Sequence, residues 1–174
     1  AYEMLRSLVG SEMCIRDRSI SKEIEHAIRG FGFKPISNLS GHMLRRYLLH
    51  GGKSIPNVGG DYPWIIEEGD VFAIEPFATD GAGYVVEMNE SYIYNLVRPR
   101  GGRGKLDKRL LKYIISNFKT LPFCERWFKD DFDISDLRES LAHLCGSGTL
   151  HRYPVLREAQ NGMVSQMENS VIVV

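Results

Sequence analysis

Near residue 100 the hydrophobic period of this chain changes from about two to about 3.6, which sets a helical module between two strand-rich blocks. From residue 31 to 97 the apolar residues come in short runs bounded by glycine, proline and polar turn residues. Val71-Phe72-Ala73-Ile74 has the length and flanks of a buried strand, and residues 84–88 and 92–97 read as two further strands. From Leu106 the period lengthens to about 3.6, with Leu106, Leu110, Leu111, Ile114, Ile115 and Phe118 on one helical face. Phe123, Trp127 and Phe128 suggest a second helix. Asp133 or Ser135 can cap a third, with Leu137, Leu141 and Leu144 inside and Gly146 at its end. A basic, glycine-rich linker, PRGGRGK at residues 99–105, joins the two regimes, and residues 163–174 read as strands again. The fold class is mixed α/β, of the α+β kind, with the helices gathered near residues 100–155.

The beginning of the chain is read differently. Residues 1–18 (AYEMLRSLVGSEMCIRDR) are only loosely periodic. They resemble translated sequencing-adapter sequence and are assigned no function. From there Ser19 or Ser21 can N-cap a helix carrying Ile20, Ile24, Ala27 and Ile28, with Gly30 as the glycine that stops it. Glu67-Glu68-Gly69-Asp70 reads as a tight polar turn.

Composition narrows the function classes. With 43% apolar residues the chain can bury a core, which excludes a disordered tail. Lys+Arg and Asp+Glu both number 22, so the zero net charge gives no general steering toward nucleic acid. No apolar run approaches the roughly 20 residues of a membrane span. The three cysteines are scattered, which suits reduced thiols in a cytosol better than a disulfide framework. The sequence starts without Met and stops in the apolar run 171–174, as expected of a piece of a longer protein.

Few residues point to chemistry by themselves. Glu75 closes the run 71–74, on the parity of Val71 and Ala73. Three readings are open for it: a solvent-facing strand end, an ion pair with an arginine, or a buried carboxylate that is paired or metal-bound. Glu168 poses the same question, as the solvent face of an edge strand or the wall of a wet cavity. His42 and His50 both adjoin glycines, which suits a site loop, although surface histidines are the more frequent case. Spacing does not join these four residues, and no local zinc motif is present. The cluster Arg98, Arg100, Arg103 and Lys105 suits RNA phosphates or, more simply, a solvated loop.

Longer motifs carry a resemblance. SNLSGH (37–42), LLHGGKSIPNV (48–58), EEGDVFAIEPFATDGAG (67–83), TLPFCERW (120–127), RYPVL (152–156) and Gln166-Met167-Glu168 are similar to those of type 2 methionine aminopeptidases, archaeal members above all. The resemblance covers residues 19–174. It implies part of a pita-bread fold over 19–99 and 156–174, with 100–155 as the helical, winged-helix-like insert of type 2 enzymes. It implies metal-dependent removal of the N-terminal methionine from nascent chains, in the cytoplasm, by a monomer with two divalent ions such as Co, Mn or Fe. By motif position His42, Glu75 and Glu168 match metal ligands, and Glu75 also exchanges a proton with the bridging water. His50 matches the histidine that hydrogen-bonds substrate near the scissile carbonyl, and Tyr153 matches a residue lining the methionine pocket.

The departures are specific. The family uses two further aspartate ligands and an upstream histidine, which have no counterpart here. Asn169 stands where a histidine is common, and Met43 where a small polar residue is common. The chain reads as a C-terminal fragment that is inactive alone. The alternative is a non-catalytic homologue that binds ribosome or RNA. Prolidase and aminopeptidase P share the fold, but the insert and RYPVL speak against them.

Overall fold

The computed structural model describes residues 17–60 and 62–174, so the extension over residues 1–18 lies almost wholly outside the described residues. Two compact units emerge. One comprises residues up to 45, 50–86 and 157–174; the other comprises 46–49 and 87–156.

The first unit opens with helix α1 (Asp17–Gly30), whose stripe Ile20, Ile24 and Ile28 is buried. The helix starts before either serine expected to cap it. Ser21 is wholly buried inside it, and its hydroxyl has no partner among the described residues. Its stop also lies later than expected. Gly32 N–H donates to Arg29 O and Phe33 N–H to Ile28 O, a Schellman closure with Gly32 at φ +82°. Gly30 is simply the last helical residue, because the left-handed turn falls two positions on.

Helix α1 packs against β1 (Lys34–Pro35) and β3 (Ser54–Pro56). The remaining strands of this unit are β2 (Ser40–Met43), β4 (Val71–Ile74), β5 (Phe77–Thr79), β9 (Val164–Gln166) and β10 (Asn169–Ile172). They form two sheets, ordered β1-β5-β9 and β10-β4-β2-β3, with antiparallel neighbours throughout. Phe72, Ile74, Met43, Ile55 and Ile66 close over the α1 stripe to make the core. The polar turn forms as expected: Asp70 N–H donates to Glu67 O, and Gly69 takes φ +87°.

The second unit carries the helical pattern. Strand β6 (Val85–Leu96) runs into it from the first unit and lies between β7 (Phe123–Cys124) and β8 (Leu150–Glu158). Two separate strands were expected here, split at residues 89–91. The ladder with β8 spans that polar segment, flanked by the bonds Ala159 N–H to Tyr84 O and Val97 N–H to Thr149 O, so one long strand results, while β7 pairs only with Ile93 and Tyr94. Helices α2 (Lys105–Asn117) and α3 (Ile134–Gly146) pack on a core of Leu110, Ile114, Phe123, Phe128, Leu137 and Leu144. The expected middle helix is only a 3₁₀ turn, Glu125–Phe128. Phe123 is drawn into the β7 pairing with Tyr94, which leaves too few residues for an α-helix.

Asp133 caps α3 by accepting from Ser135 and Asp136 N–H at 2.8 and 3.3 Å. Its end repeats the α1 pattern. Gly148 (φ +66°), not Gly146, closes a Schellman turn through Gly148 N–H to Cys145 O and Thr149 N–H to Leu144 O. The glycine-rich segment is an ordered turn rather than a loose linker: Thr149 Oγ1 donates to Arg100 O at 2.6 Å, and Arg103 N–H donates to Asp107 Oδ2 at 2.9 Å. Residues 46–49 join this unit through the Lys119 ammonium, which donates to the Tyr47 hydroxyl at 2.6 Å. Among the described residues no helix is long and apolar enough to cross a membrane, and Cys124 and Cys145 are free thiols.

Candidate metal centre

Strand alternation puts His42, Ala73 and Glu75 on one face of the four-stranded sheet. The β2–β4 register pairs His42 with Ala73, and Glu75 lies one step past β4 on the parity of Ala73. The imidazole Nε2 of His42 stands 3.0 Å from Glu75 Oε1. The strands can approach this closely because residue 41 is glycine. A Cβ there would strike the Ala73 carbonyl oxygen and lie 3.1 Å from the Glu75 amide nitrogen.

Glu168 meets Glu75 from the other side. The pairings Asn169 with Ile74 and Gln166 with Phe77 bracket the two carboxylates. Continuing either ladder places Glu168 opposite Glu75, although the strand breaks there into β9 and β10. His50 returns beside the pair at the end of the β2–β3 connection, its ring centroid 4.6 Å from that of His42 and nearly edge-on. Gly51 N–H donating to Met43 O at 2.7 Å holds that connection closed.

Burial dominates the electrostatics of these side chains. Burial raises the Glu75 carboxyl; His42 opposes this and the Glu168 carboxylate reinforces it, leaving Glu75 above its ordinary value. Burial chiefly, then His42, lowers the His50 imidazole. The other ring nitrogen of His42, Nδ1, is buried without a hydrogen-bond partner among the described residues. One imidazole and two carboxylates on one face match a divalent cation in donor type. Among the described residues no group of three or more His, Cys, Asp or Glu side chains is arranged to hold a metal ion, so the match is one of donor type alone. Of the readings open for Glu75, the arginine pair is not the one that forms; its partner is His42.

The four residues His42, His50, Glu75 and Glu168 thus come together in one unit. Tyr153 lies in the other, on β8, half-buried and edge-on to His151 at 4.9 Å. Met43 points away from His42 into the apolar core, so that departure from the motif is a packing matter. Asn169 is exposed and alternates away from Glu168.

Several supporting residues escaped the sequence reading. Asn57 is wholly buried, donating to Leu39 O at 3.0 Å and accepting from Phe77 N–H at 3.3 Å, which ties the approach to β2 to the start of β5. Lys53 is pinned between Asp70 and Glu67 at 2.6 and 2.7 Å. Glu158 is buried among backbone amides. A single polar letter in a loop carries no mark of such roles.

No family model matches the chain. Its sequence is similar to archaeal methionine aminopeptidases. It is 47% identical to that of Thermococcus kodakarensis over 99% of this chain and 58% of the relative. The corresponding figures are 45%, 99% and 59% for Pyrococcus horikoshii, and 47%, 88% and 51% for Archaeoglobus fulgidus. The chain therefore spans between half and three-fifths of the length of these curated relatives. Among solved structures, a thermophilic Arx1 superposes with a TM-score of 0.75 at 16% identity, covering 96% of this chain and 46% of that one. That likeness shows the fold, which is part of a pita-bread architecture.

Proposed function

We propose that this chain carries one side of the active site of a methionine aminopeptidase, a metal-dependent enzyme that removes the N-terminal methionine of cytoplasmic nascent chains. The observation that supports it most is the His42–Glu75 pair at 3.0 Å with Glu168 opposite, in a sequence 47% identical to such an enzyme.

His42, Glu75 and Glu168 would hold two divalent ions, Mn, Fe or Co rather than Mg because of the imidazole. Bound there, such ions supply a water of lowered pKa and polarise the peptide carbonyl. The chain's own residues do the rest. Glu75, raised by burial, is suited to take a proton on a carboxylate oxygen and give it up again. His50, held toward its neutral form, is suited to hydrogen-bond the scissile carbonyl. Tyr153 would line the pocket for the methionine side chain, a role supported by its RYPVL motif alone. Without the two further aspartates that the resemblance implies, one imidazole and two carboxylates offer too few donors for two ions, so metal binding by the 174-residue chain should be weak.

The test is release of methionine from a Met-Gly peptide in Mn²⁺ or Co²⁺. The 174-residue chain should give none. A chimera joining residues 19–174 to the remaining segment of the Thermococcus kodakarensis relative should be active, and His42→Ala or Glu75→Gln in it should lower kcat at least about 100-fold. Turnover by the short chain, or an inactive, folded chimera, would overturn the reading.

A further inference from the structure

The strand that carries Glu168 poses a physical problem. Burial of one face normally fixes a strand's register, because a slip of one residue turns that face to water. Here Val164, Ser165, Gln166, Met167 and Glu168 are all exposed. Within β9 itself apolar packing gives no reason to choose one alignment on β5 over the next, whereas beyond Glu168 the side chains of Val171 and Val173 pack on the core and hold β10 on β4. Only if β9 keeps the matching alignment do the two ladders meet with Glu168 opposite Glu75.

The turn before β9 supplies what packing does not. Glu158 is 3% exposed. Its carboxylate accepts from Gln160 and Gly162 N–H at 2.7 and 2.8 Å, and from Ala82 and Gly83 N–H on the other side, the last at 3.2 Å. One side chain thus joins the segment after β5 to the segment before β9. Burial alone would raise its carboxyl, but the four donors outweigh burial and hold it ionised, below its ordinary value. The fit is close. A Cβ on Gly81 would run into the Glu158 carboxylate, and one on Gly162 would meet the Gly81 backbone. Asp80 Oδ1 adds a bond from Met163 N–H at 2.8 Å, next to the first paired residue, Val164 opposite Thr79.

We propose that Glu158 is a positioning residue: by knotting the turns at 80–83 and 158–162 it sets the register of β9 and so places Glu168 opposite Glu75. The inference deepens the metallopeptidase reading, since it matters to chemistry only if those two carboxylates act together.

The experiment is solution NMR on the 174-residue chain and its Glu158→Gln variant, which is isosteric but puts an NH₂ against N–H donors. In the parent chain, cross-strand backbone contacts should link Thr79 with Val164 and Phe77 with Gln166. The variant should lose both, or show them displaced along β9, while the His42–Ala73 and Tyr94–Phe123 contacts persist. Gly81→Ala, which crowds the same carboxylate, should give the same pattern. Retention of the Thr79–Val164 contact in both variants would overturn the proposal. So would loss of the His42–Ala73 contact along with it, since Glu158 would then be a residue of general folding. Neither result depends on methionine release, so an inactive chimera would leave it standing.

Discussion

Leu110, Ile114, Phe123, Phe128, Leu137 and Leu144 of the helical unit are wholly buried, whereas β9 of the sheet unit buries no side chain. In the helical unit the rings of Tyr113, Phe118, Phe123 and Phe128 pack in stacked, tilted and edge-on pairs with centroids 5.2 to 6.2 Å apart. Its geometry follows from packing apolar volume. The sheet unit has a smaller apolar core beneath α1, to which β2 and β4 contribute Met43, Phe72 and Ile74 from the face opposite His42 and Glu75. The difference has a chemical cause. A face that presents carboxylates cannot also bury hydrocarbon, so on that face close glycine contacts and hydrogen bonds add to the packing behind it.

The contrast can be broken most directly at Phe128. Phe128→Ala removes a ring packed on four others and should cost about 3–5 kcal/mol. In urea, followed by residue-resolved NMR, the helical unit should lose its structure at lower denaturant than the His42–Ala73 pairing. Identical midpoints for the two units would show that they do not differ in how they are held.

Gly41→Ala strikes at the sheet unit in another way. The added methyl meets backbone of β4 rather than a yielding side chain, so a loss of about 1–3 kcal/mol and separation of His42 from Glu75 are expected. Gly146→Ala, inside the last turn of α3 with nothing within 4 Å, is the control that should cost no stability. Equal losses at the two positions would remove the close-approach argument.

Acid sharpens the comparison, because each unit has a buried aspartate below its ordinary value of 3.8. For Asp70, burial raises the carboxyl but Lys53 and the Glu67 amide outweigh it. For Asp107, burial raises it but the Arg103 amide, Ser140 and His143 outweigh it. A carboxyl lowered on folding stabilises fully above its unfolded value, and that contribution is lost as pH falls through the folded value. Each unit should therefore weaken below about pH 4. Asp107→Asn should flatten this acid dependence in the helical unit, and Asp70→Asn in the sheet unit, as followed by NMR during acid titration. A variant that flattens the other unit's response would assign the carboxylate wrongly.

The smallest effects test what the units share. Gly32→Ala and Gly148→Ala place a Cβ at positive φ and should each cost about 1 kcal/mol. Gly30→Ala, in an ordinary helical conformation with free space around it, should gain up to about 1 kcal/mol by thermal denaturation. The reverse ranking would restore Gly30 as the helix stop.

These glycines mark how far the sequence could be read. The ends of α1 and α3 each carry two glycines two residues apart, and composition does not say which one takes the left-handed turn. The strand 71–74 was legible in full, because a short apolar run between turns has one reading. The 3₁₀ turn at 125–128 was not, because long-range pairing of Phe123 with Tyr94 overrode a local aromatic pattern. At the site, glycine neighbours marked His42 and His50, strand parity marked Glu75 and Glu168, and the motifs gave all four their roles. Asn57 and Asp80 lie inside those motifs and Glu158 outside them, but none was marked by its type or setting, since each works by reaching backbone amides or carbonyls that are distant in sequence.

The sequence by itself determined the order of strand and helix regimes, the apolar stripe of each helix and the identity of the candidate donors. All of these depend on residue type and on periods of two or about 3.6. Only the tertiary structure decided that His42 shares a face with Glu75, that Glu168 arrives opposite, and that a buried carboxylate 10 residues before Glu168 sets that alignment. Register between strands far apart in the chain depends on which backbone groups meet in space, and no local pattern encodes that.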